Sequence, residues 1–169
     1  MKTLSSLLAL LSLLSFLCGC RRSESAPSLE AGTSTRKARI FMISVKDGAV
    51  AGPEAGCGGK LTPIDVELPA PSPALEGSLE ALLAAGDQYQ SAGFYNALAN
   101  SPLRLERVER KGGAARIFLA GYLELGGECD GSSVLSQLTE TAAQFRDLER
   151  AEFFLDGKPL RELLDGRGT

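Results

Sequence analysis

Residues 103–121 read "LRLERVER", then "KGG", then "AARIFLAG", a pattern that leaves little choice but an antiparallel hairpin. Two β-rich runs flank Gly112 and Gly113, which supply the tight turn. The rest of the chain is then read outward from this hairpin. "ARIFMISV" (38–45) is β-rich, and "LTPIDVELP" (61–69) alternates Ile64, Val66 and Leu68, as a half-buried strand does. Pro63 places that strand at an edge or makes it a first residue. "ALEGSLEALLAA" (74–85) sets Leu75, Leu79, Leu82 and Leu83 on one helical face, stopped at Gly86. "DQYQSAGFYNALANSP" (87–102) is a long connection that fits a short helix over the core, its Tyr89, Phe94 and Tyr95 either packing there or forming a ligand patch. "SSVLSQLTETAAQF" (132–145) places Leu135, Leu138, Ala142 and Phe145 on one face, with Asp130 or Ser132 as its cap. "ERAEFFLDGKPL" (149–160) is a strand ending in an Asp156-Gly157 turn, and "RELLDGRGT" is a terminal piece that frays. The order is strand, strand, helix, strand, strand, helix, strand. It predicts an α/β (α+β) two-layer sandwich, a mixed sheet of about five strands with two main helices on one face.

The chain opens "MKTLSSLLALLSLLSFLCGC". Lys2 precedes an uncharged apolar run from Leu4 to Leu17, too short to span a bilayer comfortably, which is the form of a secretory signal peptide. The run ends Leu17-Cys18-Gly19-Cys20, which resembles the bacterial lipoprotein box. Cys20 fits the acylated position. Cys18 does not, because the bulky Leu17 stands directly before it. A diacylated Cys20 would hold the mature chain on a membrane without spanning it. The expected organisation is a signal peptide over 1–19, a flexible tether over 20–37, the folded domain over 38–164 and a disordered tail over 165–169.

Of the four cysteines, Cys57 and Cys129 remain for the domain. In an exported chain such a pair reads as a disulfide. Cys57 lies in "EAGCGGK", which has three rival readings. A phosphate loop requires Ser or Thr after the lysine, and Leu61 follows Lys60. A zinc site and a cysteine nucleophile both call for further ligands or a histidine, and the chain has no histidine. The same absence excludes Ser-His-Asp triads and histidine pH switches. Net charge is −3, and the only basic cluster is "STRKAR" at 34–39, so nucleic-acid binding has little electrostatic support.

"LERVERKGGAARIFLAG", "GGECDGSSVLSQLTETAAQF" and "AEFFLDGKPL" together resemble the GerMN domain, named after spore-germination and sporulation proteins. The matching helix core is Gln137-Leu138-Thr139-Glu140-Thr141, and the closing strand is Phe154-Leu155-Asp156-Gly157-Lys158-Pro159. "GCGGKLTPIDVELP" and the helix after it look like the lipoprotein branch of that family, which carries a paired cysteine at these places. The resemblance covers about 38–163. It implies an extracytoplasmic α/β domain, often on lipoproteins, without established catalytic residues and similar in layout to ring-building domains. The chain has one copy where the germination proteins have two, so a sporulation role is not carried over.

Three functions follow as expectations. The first is a lipid-anchored, non-catalytic envelope module, with no cofactor and no metal, that binds another envelope protein or a cell-wall component. The second is a small-ligand binder using the loops around Cys129. The third is a carboxylate-based cell-wall hydrolase built on Glu124, Glu128 and Asp130. Glu128, Asp130 and Asp156 are the candidate contacts for a ligand or partner. Each also has a structural explanation: Glu128 and Asp130 flank a disulfide and a helix start, and Asp156 sits in a turn.

Overall fold

The computed structural model describes residues 35–44, 52–87, 89 and 92–165. The signal peptide, Cys20, the tether as far as residue 34 and the last four residues, 166–169, lie outside them. The first strand, β1 (Thr35–Ser44), takes in Thr35 to Lys37 of the segment assigned above to the tether. It pairs antiparallel with β2 (Lys60–Pro69) over its whole length, Ile40 opposite Ile64 and Phe41 opposite Pro63. β2 has no other partner among the described strands, and edge position is where a proline is tolerated. Helix α1 (Ala74–Ala84) follows and buries Leu75, Leu79 and Leu82 completely. The long connection then forms turns and a two-residue strand, β3 (Phe94–Tyr95), on the other side of β1.

The hairpin is β4 (Leu103–Lys111) and β5 (Ala114–Gly121), closed by the two-residue turn Gly112–Gly113. Helix α2 (Asp130–Ala143) leads from β5 to β6 (Arg150–Leu155), which lies parallel to β5. That is the crossover the alternation predicts. The Gly113 carbonyl accepts from both Glu149 N–H (2.7 Å) and Arg150 N–H (3.1 Å), so the hairpin turn also sets where β6 begins. β6 turns through Asp156 and Gly157, both with positive φ (47° and 80°), into the short β7 (Lys158–Pro159). The final residues do not fray as a whole. Leu160–Asp165 form helix α3, and Leu160 is fully buried.

The five long strands divide between two sheets, β2-β1-β3 and β4-β5-β6-β7. One hydrophobic core joins them. Ile40, Met42 and Leu61 come from the first sheet, Ile117 and Leu119 from the second, and Leu79, Val134 and Leu138 from the helices.

What carries the first sheet's edge across to α2 is a set of side-chain amides and hydroxyls. Arg39 and Phe41 are two residues apart, so their backbone groups point to the same edge of β1, and β3 is too short to reach them. Side chains of α2 take over. Thr141 Oγ1 accepts from Phe41 N–H (3.2 Å), and Gln137 Nε2 donates to Phe41 O (2.9 Å). Gln144, at the helix end, repeats the pattern on Arg39, accepting from its N–H (3.1 Å) and donating to its carbonyl (2.7 Å). Gln137 Oε1 also accepts from Ala97 N–H (2.9 Å), and its amide donates to Asn96 Oδ1 (3.3 Å). Residues 137, 141 and 144 lie on one helix face, and that face serves as a substitute strand.

Of the predicted inward face, Leu138 and Ala142 are fully buried, but the helix is rotated enough to bring polar residues inward beside them. Beyond the first turn and Ser133, the buried positions are Val134, Gln137, Leu138, Thr141 and Ala142, while Leu135 is only half-buried. Apolar spacing alone places Leu135 and Phe145 inward. The two inward polar residues displace that face, because the backbone groups they satisfy are costly to bury unpaired.

Candidate functional site

The loop "EAGCGGK" is a closed turn docked on the start of α2. Glu54 and Lys60 form an isolated bridge, and their side chains pair at 3.1 Å. Inside it, Ala55 N–H donates to Gly59 O (2.9 Å) and Gly59 N–H to Gly56 O (3.0 Å). Gly56, Cys57 and Gly58 all take positive φ (77°, 43° and 84°), a run that glycine permits on either side of the cysteine. Cys57 is bonded to Cys129, with Cα atoms 5.8 Å apart. Ser133 Oγ donates to Ala55 O at 2.6 Å, and a Cβ on Gly56 would collide with Ser132. Ser132 Oγ donates to Cys129 O (2.9 Å). Both serines are therefore engaged, and no side chain caps α2.

Asp130 is not the expected cap either. It is 8% exposed, in the first turn of α2. Its Oδ2 accepts from Gly126 N–H (2.6 Å) and its Oδ1 from the Tyr95 hydroxyl (3.0 Å). The carboxylate thus ties the incoming loop and β3 to the helix start, where it also suits the helix dipole. Burial, the hydrogen bond to Asp130 and the charge of Asp130 push the Tyr95 hydroxyl up to about 12. The folded state then holds the Tyr95 proton through a range in which the unfolded chain has lost it. That contribution to stability is complete below pH 10 and is lost as pH rises towards about 12. Alkaline unfolding of Tyr95→Phe should lack this step. An identical stability–pH curve for wild type and variant between pH 9 and about 12 would refute the assignment.

Glu124 and Glu128 are both exposed. The backbone of Glu124 is held by Ser101, whose hydroxyl donates to its carbonyl (3.2 Å) and accepts from its N–H (3.0 Å). Asp156 is exposed in the β6–β7 turn, where its N–H donates to Leu119 O (3.0 Å). The candidate acids therefore do not form one site. Asp130 is committed to structural bonds, and Asp156 belongs to a turn at the end of another sheet. None of them lines the two larger clefts described below.

Those clefts lie along the second sheet. Ile117, Leu119, Phe153 and Leu155 face the core, so the alternating Phe118 and Phe154 face outward. The two rings stack at 5.0 Å between centroids. Arg107 lies over the Phe118 ring at 3.6 Å, and Arg116 over Phe154 at 4.7 Å. The arginines in turn pair with Glu109, at 3.0 Å from Arg107 and 3.4 Å from Arg116. Arg150 pairs with Glu152 at 3.3 Å on the same face. The result is an aromatic centre under a lattice of alternating charge, with a cleft of about 450 Å³ towards the hairpin end. A second cleft, about 420 Å³, opens beside β6 between Leu135 and Thr139 of α2 and Arg161 and Glu162 of α3. No local stretch of sequence signals this face. The apolar residues Leu105 and Val108 stand three apart across a bulge, and only the strand register brings Arg107 over Phe118 and Phe118 beside Phe154.

No family model matches the sequence, and neither does any curated protein. Among solved structures, the chain is similar to the first GerMN domain of the sporulation protein GerM from Bacillus subtilis. The TM-score is 0.54 at 17% identity, over 73% of this chain and 85% of that one. The fold is GerMN-like. The tandem GerMN domains of the same protein give the same TM-score, 0.54, at 11% identity; 79% of this chain is covered, and 43% of that one. The GerMN-like fold places the Gln-Leu-x-x-Thr segment at the α2–β1 junction and the Asp-Gly turn between β6 and β7. Both are structural positions. No helix among the described residues is long and apolar enough to cross a membrane.

Proposed function

We propose that this chain is a lipid-anchored, non-catalytic interaction module of the cell envelope, held on a membrane through Cys20 and binding another envelope protein or a cell-wall component. The observation that carries the reading is the fate of Asp130. It is the buried acid of the loop that a hydrolase would use, and Tyr95 and Gly126 occupy its oxygens. Two further features support it. The disulfide and the Gln137 network bind one part of the domain to another and serve its structure. The outer face of the second sheet carries a charged lattice of Arg107, Glu109, Arg116, Arg150 and Glu152 over the Phe118–Phe154 stack, a surface suited to a partner. The sporulation role of the protein sharing the fold is not part of the proposal.

The anchor is tested by mass spectrometry of membrane-extracted protein. The expected product starts at Cys20 and carries diacylglycerol. A soluble mature chain starting elsewhere, with Cys20 unmodified, would remove the anchor. The binding role is tested by affinity capture from cross-linked envelopes, where a saturable partner is expected. Turnover of cell-wall glycan that disappears in Asp130→Asn would overturn the non-catalytic reading.

A further inference from the structure

β6 has a neighbour along its whole length on one side only. β5 pairs with it from Arg150 to Leu155, whereas β7 reaches only Phe154 and Leu155. Even-numbered residues turn their backbone to β5: Arg150 N–H donates to Gly113 O (3.1 Å) and Asp156 N–H to Leu119 O (3.0 Å). Backbone groups alternate between the two edges of a strand, so Ala151 and Phe153 turn theirs to the open side. Among the described residues no strand pairs with them there, and the 420 Å³ cleft opens beside them. The other long edges are blunted. β2 carries Pro63, Asp65, Glu67 and Pro69, and β4 carries a bulge and a row of charges.

We propose that this open edge is completed by the same edge of a second copy of the chain, the two β6 strands running antiparallel about a twofold axis at Ala151. This rests on the interaction-module reading and names its partner. With the axis perpendicular to the sheet, opposite residues share a face, so the register must centre on one residue. Centred on Phe153, it would need Leu155, which β7 already occupies. Centred on Glu152, it would set two Glu152 carboxylates against each other, and like charges directly opposite disfavour pairing. Centred on Ala151, it lets the two alanines exchange both backbone hydrogen bonds, and the pairing ends at Arg150 and Glu152 because Glu149 N–H is held by Gly113 O (2.7 Å). It also sets Arg150 against Glu152 of the second copy, twice. These two side chains now pair within the chain, 71% and 49% exposed, and are free to exchange partners. The sequence Arg150-Ala151-Glu152 is thus complementary to itself when reversed.

The test is sedimentation velocity of the full chain in nonionic detergent, with Arg150→Glu and Glu152→Arg made separately. Wild type should self-associate with rising concentration. Each variant alone opposes like charges and should associate roughly tenfold more weakly. An equimolar mixture of the two variants restores both opposite-charge pairs, and should recover wild-type association as a heterodimer. That recovery also establishes that each variant is folded. Wild type that stays monomeric, variants that dimerise unchanged, or a mixture without recovery would each overturn the proposal. Envelope capture separates the two ideas. A partner captured by a strictly monomeric wild type would leave the interaction module standing without this edge.

Discussion

Replacing Gln137 with leucine should cost about 3–5 kcal/mol of folding stability. The side chain is fully buried and all of its polar atoms are used. Leucine fills nearly the same space but leaves Ala97 N–H and Phe41 O without partners. An unsatisfied buried group costs about 1–3 kcal/mol. The loss should appear in chemical denaturation as a lower midpoint. Gln144→Leu offers the internal comparison. It removes the same pair of bonds from Arg39, but at an exposed position where water replaces them, and should cost about 1 kcal/mol or less. Equal losses for the two variants would show that burial is not what makes the Gln137 amide matter.

Removing the disulfide with Cys57→Ser and Cys129→Ser together should cost about 2–5 kcal/mol. The bridge spans 72 residues of sequence, and the chain-entropy argument gives roughly 4 kcal/mol for a loop of that length. It pins the 54–60 turn to the start of α2, so it joins the first sheet to the second. Ser133, bonded to Ala55 O, remains to hold the loop, which is why the domain should still fold. Partner binding should survive once it has folded. A double variant of unchanged stability that had lost binding would make the cysteines functional instead.

Much of this architecture is written in local pattern. Gly112 and Gly113 dictate a hairpin turn, Asp156-Gly157 dictates another, and the leucines of α1 occupy the face that their spacing predicts. These are short-range effects, governed by which residues tolerate positive φ and by the period of apolar side chains. Once Cys18 and Cys20 are assigned to the signal peptide and its lipoprotein box, the two cysteines that remain, Cys57 and Cys129, are the pair that the fold joins. Periodicity reads α2 only in part: Leu138 and Ala142 are buried as their spacing predicts, but Gln137 and Thr141 share the inward face and Leu135 does not. The value of Gln137 and Thr141 lies in bonds to Phe41, about a hundred residues away (|i−j| of 96 and 100), whose backbone needs partners only because β3 is short. The same holds for Asp130. As sequence it is an acid near a helix start, and only the arrival of Tyr95 from β3 commits its second oxygen. The division of the strands into two sheets, the Phe118–Phe154 stack and the open edge of β6 are likewise decided by tertiary packing. Each depends on which backbone groups are left over after the local elements have formed. That is a property of register and strand length between distant segments, which no local stretch of sequence contains.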